Sequence, residues 1–128
     1  MILNLVPPHT RVTATGDGER FDVSGSATRT FLCTLEISDQ IEQESIDMWI
    51  FVSPDGETWP AKPFLMLPQQ FYRGQTRLLL DLTLQSEVRF IRAHWELNRW
   101  GRVAPTPMFV ISFTLEEVPA SQPLVARS

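Results

Sequence analysis

Residues 29–38, RTFLCTLEIS, place Phe31, Cys33, Leu35 and Ile37 at every second position, with Thr30, Thr34 and Glu36 at the alternate ones. A period of two puts the first set on one side of an extended chain and the second set on the other, which is the pattern of a half-buried β-strand. The same period recurs on both sides. In SIDMWIFVS (45–53), Ile46, Met48, Ile50 and Val52 share a face and Trp49 and Phe51 take the opposite one. In TRLLLDLTL (76–84) the shared face is Leu78, Leu80 and Leu82. In EVRFIRAHWEL (87–97), Arg89, Ile91, Ala93, Trp95 and Leu97 oppose Val88, Phe90, Arg92, His94 and Glu96. MFVISFTLEEV (108–118) lines up Phe109, Ile111, Phe113 and Leu115.

These runs predict strands near 28–37, 45–53, 75–84, 87–97 and 107–117, with weaker ones in RVTATG (11–16) and RFDV (20–23). Short strands separated by turn signals predict an all-β fold, an antiparallel β-sandwich or jelly roll of about seven or eight strands. The stretch ISDQIEQESI (37–46) has a helix-capping pattern at Ser38 or Asp39, but it is short and polar, and a loop between strands is expected there. The ends lack alternation. Residues 1–10, with Pro7-Pro8, read as an extended N-terminal arm, 11–118 as the sandwich domain, and 119–128 as a flexible C-terminal tail.

A chain of 128 residues suits one domain with a core of its own. The net charge of −4 disfavours nucleic acid and anionic membranes as main partners. Ten of the eleven basic residues are Arg, Lys62 being the exception. Arg makes planar, multidentate contacts that Lys does not, so the bias fits an interaction surface, and the base composition of the source genome accounts for it equally well. The single cysteine, Cys33, lies in an apolar run and reads as a buried thiol. The start, MILNLVPPHT, lacks the basic region of a signal peptide. No stretch approaches the roughly 20 apolar residues of a membrane helix. A soluble protein made in the cytoplasm is expected.

Catalytic constellations are not legible. His9 and His94 are far apart, and no spacing typical of a zinc site occurs. Cys33 with His94 is a nucleophile–base pair only on paper, since an apolar thiol is unreactive. No enzymatic activity, cofactor or metal is expected. The carboxylates Asp39, Glu42, Glu44 and Asp47 supply oxygen ligands of the kind calcium takes, but not at EF-hand spacing, and a solvated acidic loop is the plainer reading.

Two segments stand out. In VSPDGETWP (52–60), Asp55-Gly56 is a tight-turn pair, Pro54 pre-sets its φ, and Ser53 and Asp55 are able to bond backbone N–H groups just ahead. Ser53, Asp55, Gly56 and Trp59 are therefore read as a structural turn. In RAHWELNRWGR (92–102), Arg92, His94, Arg99, Trp100 and Arg102 are candidates for a partner or ligand surface, because Trp and Arg dominate interface hot spots. The competing reading makes Trp95 core and Trp100 a plug at one end of the sandwich.

The order of TATGDG, TFLCTLEIS, SPDGETW, GQTRLLLDL, VRFIRAHWEL and FVISFTLEE resembles small β-sandwich proteins encoded among phage and prophage virion genes. More distantly, SPDGETW with VRFIRAHW is similar to discoidin-type (coagulation factor 5/8 C-terminal) jelly rolls. Those domains are longer and often carry a cysteine pair, whereas this chain has one cysteine. The first resemblance implies a non-enzymatic, virion-associated decoration or tail/baseplate accessory module. Its partners would be proteins, through self-association or an assembly lattice. The second implies a carbohydrate-binding module that holds glycan beside Trp59 and Trp100.

Overall fold

The computed structural model describes residues 1–101 and 106–120. Among them there is no helix, and the strands are β1 (Ile2–Val12), β2 (Gly16–Asp17), β3 (Phe21–Asp22), β4 (Thr30–Gln40), β5 (Glu44–Ser53), β6 (Leu65–Met66), β7 (Gly74–Asp81), β8 (Phe90–Arg99) and β9 (Phe109–Glu117). They form two antiparallel sheets packed face to face. One runs β1-β9-β4-β7 and the other β2-β8-β5-β6, with β3 also pairing β8. The pairs β1·β9, β2 and β3·β8, β4·β7 and β5·β6 nest inside one another, which is the jelly-roll order.

The alternating residues fill the space between the sheets. Phe31, Cys33, Leu35, Ile37, Phe109, Ile111, Phe113 and Leu115 enter from the first sheet; Ile46, Met48, Ile50, Ile91 and Ala93 enter from the second, and all are buried. Removing each large side chain from water contributes about 1.5–3 kcal/mol. That is the main force holding the layers together. Cys33 belongs to this core, and burial pushes its thiol up to about 12. It lies inside the sandwich whereas His94 lies on the outer face of the other sheet, so the two do not form a pair.

The N-terminal stretch departs from the expected arm. Residues 2–12 are an edge strand, β1, paired along β9 from Ile2↔Glu116 to Val12↔Phe109. Leu5 and Val6 are buried in the core. The strand is interrupted between Asn4 and Val6 and again between Val6 and Thr10, where Pro7-Pro8 lack donors and His9 takes a φ of 59°. Those interruptions hide its period from a reading of the sequence. Residues 121–128, within the expected tail, lie outside the described residues.

The expected loop at 37–46 is also shorter than its composition implies. Strand β4 continues to Gln40 and β5 begins at Glu44, so only residues 41–43 carry the chain from one sheet to the other, with Gln43 at a φ of 62°. The acidic run is not a uniformly solvated loop. Glu44 is buried, its Oε1 accepting from the Met108 N–H at 2.7 Å and its Oε2 from the Ile41 N–H at 2.9 Å. Asp39 instead faces Arg73 at 3.4 Å, and Asp47 accepts from Gln69 Nε2 at 3.2 Å. Among the described residues, no three or more His, Cys, Asp or Glu side chains gather as metal ligands would.

A second carboxylate closes the opposite end of the fold. Glu117 Oε2 accepts from the Thr28 N–H at 2.9 Å and from the Ser26 hydroxyl at 2.7 Å, which ties the loop before β4 to the end of β9. These bonds, the Thr28 N–H foremost, hold the Glu117 carboxyl down to about 2, against an ordinary value of 4.5. A depressed carboxylate stabilises the fold above its unfolded-state pKa, and the contribution disappears as pH falls through the folded value. Wild type is therefore expected to melt above Glu117→Gln at pH 7, with the gap closing between about pH 4.5 and pH 2. Thermal melts across that window check this, and a gap independent of pH would refute it.

Candidate functional site

The SPDG turn is built from its own side chains. Ser53 ends β5, is fully buried, and accepts at Oγ from the Gly56 N–H at 2.8 Å and the Asp55 N–H at 3.3 Å. It donates to Asp55 Oδ1 at 3.0 Å. Asp55 Oδ1 accepts from the N–H groups of Thr58 at 2.7 Å and Glu57 at 2.9 Å, and Oδ2 from the Thr58 hydroxyl at 3.0 Å. The Thr58 and Glu57 N–H groups hold this carboxyl well below the usual carboxylate range. The Ser53 hydroxyl, the Asp55 carboxylate and the Thr58 hydroxyl are thus committed to shaping the turn.

The turn folds back over the outer face of the β2-β8-β5-β6 sheet. Gly56 has a φ of 79°, a left-handed conformation that glycine adopts without strain. It rests on the Phe90 ring, and its carbonyl accepts from Arg20 Nη1 at 2.9 Å. The Arg20 guanidinium lies 5.4 Å from the centre of the same ring. Trp59, three residues on, carries the Arg92 guanidinium 4.4 Å from its ring centre, a cation–π contact. The structure therefore places Trp59 beside Arg92, two residues that sequence spacing left unconnected.

Further along β8 a charged cluster occupies the outer face. His94 Nδ1 is 2.7 Å from Asp17 Oδ1, and His94 Nε2 is 3.2 Å from Glu96 Oε2. An ionised carboxylate only accepts, so a ring nitrogen that carries a proton donates to it. The imidazole is flanked by Trp49 at 5.5 Å and Phe51 at 5.6 Å between ring centres. Arg92 Nε lies 3.9 Å from Asp17 Oδ1. Among the described residues that Nε is buried without a hydrogen-bond acceptor. Asp17 was not legible as part of this group. It belongs to a two-residue strand in a Gly-rich turn, and only its pairing opposite His94 brings it there.

The candidate surface residues consequently separate. Arg92 and His94 sit on the sheet face, engaged with Trp59, Asp17 and Glu96. Trp100 stands at the end of the sandwich, 55% exposed, with its ring 6.2 Å from Phe71. Phe71 is also 6.2 Å from Tyr72, which is 64% exposed. The Trp100 N–H donates to the Gln43 carbonyl at 3.0 Å, and Arg99 Nη1 donates to the Glu42 carbonyl, so the crossover at 41–43 positions this aromatic group. Arg102 lies outside the described residues. Phe71 and Tyr72, in QQFYRG, carried a visible signal as adjacent aromatics before a glycine, but alternation does not single them out.

A cleft of about 310 Å³ opens elsewhere, between the edges formed by β1 and β2, with Leu5, Val6, Phe21 and Trp95 as its apolar lining and Asp17 and Glu19 at its rim. Trp95 packs against the core and donates from Nε1 to the Ala14 carbonyl at 3.0 Å. No protein-family model matches the chain, and no match to it was found among curated proteins.

Proposed function

We propose that this chain is a non-enzymatic interaction module of a phage- or prophage-like particle, a decoration or tail/baseplate accessory protein. In this reading it is made in the cytoplasm and docks on its protein partner through the Phe71–Tyr72–Trp100 group. The observation that carries the reading is the exposure of Tyr72 and Trp100 in contact with a shared Phe71. Contiguous exposed aromatics mark interaction sites, and Trp and Tyr are enriched among hot-spot residues. The order of motifs along the chain agrees with it. Jelly rolls serve viral capsid and lectin domains alike, so the fold by itself does not choose between protein and glycan.

Trp100→Ala is expected to weaken docking on purified particles by about 30-fold, the loss of a hot-spot side chain of about 2 kcal/mol. Its melting temperature should stay near wild type, since the ring is largely outside the core. Quantifying the variant in particles purified after prophage induction provides the check. Incorporation at wild-type level would overturn the reading. A glycan-binding module is the second reading, favoured by the aromatic pair of Trp49 and Phe51, and by Trp59 against Arg92, beside the polar groups of His94 and Glu96. A glycan array in which wild type binds and Trp59→Ala does not would establish that alternative.

A further inference from the structure

The four-stranded sheet has two edges of different character. The β1 edge is blunted by its two interruptions and by Pro7-Pro8. The β7 edge carries none of these devices. It pairs with β4 in unbroken register over eight positions, from Thr30↔Asp81 to Ile37↔Gly74, and contains no proline or lysine. A long, regular, unprotected edge is a template for another strand.

The phase of its hydrogen bonds is fixed. Leu82 donates to the Arg29 carbonyl at 2.8 Å, continuing the β4·β7 ladder by one pair, so the even-numbered residues of β7 bond to β4. The N–H and C=O groups of Gln75, Arg77, Leu79 and Asp81 therefore point away from it. Among the described residues, none of these groups appears in a backbone hydrogen bond from a loop or turn. The same four side chains are exposed on the outer face, Leu79 to 56%.

The run RLLLD (77–81) is self-complementary when read against itself in the antiparallel sense. With Leu79 opposite its own copy, Arg77 faces Asp81 of the second chain and Asp81 faces Arg77, while Leu78 meets Leu80 on the core side. We propose that β7 is the seam of a two-fold homodimer, centred on Leu79, in which the β1-β9-β4-β7 sheets of two copies join into one continuous sheet. Self-complementarity of a single patch is what an isologous interface requires, and strand addition supplies its main-chain bonds. Asp81 already accepts from the Thr83 N–H and hydroxyl, but through Oδ1 in both cases, which leaves Oδ2 for an arginine. This seam is separate from the Trp100 group, and neither proposal depends on the other.

Sedimentation equilibrium at micromolar concentration tests the proposal. Wild type should be dimeric. Arg77→Asp and Asp81→Arg each set like charges opposite one another twice per dimer and should raise the dimer Kd by about tenfold or more. The double variant Arg77→Asp/Asp81→Arg restores opposite pairs and should recover dimerisation, which a merely structural role would not produce. Because Cys33 is buried, Leu79→Cys offers a selective accessible thiol, and a short bismaleimide should link two copies there. Trp100→Ala should dimerise as wild type does. A monomeric wild type would overturn the seam. So would single variants that dimerise normally, or a folded double variant that stays monomeric.

Discussion

Gly56→Val should lower stability by about 2–4 kcal/mol, which is roughly 10 °C in melting temperature for a domain of this size. Two costs combine. A β-branched residue at a φ of 79° is strained in any surroundings. In addition, a Cβ on Gly56 would lie 2.9 Å from Arg20 Nη1 and 3.1 Å from the Phe90 ring. The arginine can swing aside, but the Phe90 ring must give by a few tenths of an ångström from a backbone held in the ladder opposite Ser53. Gly56→Ala should show most of the loss, because the contacts begin at Cβ. Thermal unfolding of both variants provides the measurement. If they melted with wild type yet lost binding to particles or glycans, the turn would be a contact site and its structural account would fail.

Glu44→Ala should cost about 1–3 kcal/mol, because it leaves the half-buried N–H groups of Ile41 and Met108 without their acceptors. Glu44→Gln keeps one accepting oxygen and should lose about half as much. The effect reaches the proposed docking group, since the 41–43 crossover that Glu44 braces also accepts from Trp100 and Arg99. The alanine variant is accordingly expected to dock less well than its stability alone would dictate. Urea unfolding with an unchanged m-value measures the first effect. A midpoint equivalent to within about 0.5 kcal/mol of wild type would show that the bonds contribute nothing.

The roles of the residues behind the turn and of Glu44 differ in how far they could be read in advance. Ser53, Asp55 and Gly56 act on backbone within five residues, so their chemistry was visible in the string SPDGETW. Glu44 acts on Met108, 64 residues away, and looked like one more surface acid. Asp17 and His94 are separated by 77 residues, and Phe71 and Trp100 meet only at the end of the folded sandwich.

The sequence by itself determined the long alternating strands and which of their faces is buried, though not β1, whose interruptions break the period. Side-chain direction in an extended chain alternates with period two, a local property that Phe31–Ile37, Ile46–Ile50 and Phe109–Leu115 display in full. The tertiary structure alone decided which strands pair. Strands β4 and β5 are three residues apart yet lie in different sheets, while β1 and β9, from opposite ends of the chain, lie side by side. Alternation says only that a face is apolar, not what will cover it. That choice is made by the packing of all the strands at once, and it set the outer-face cluster, the aromatic group at Trp100 and the open edge of β7.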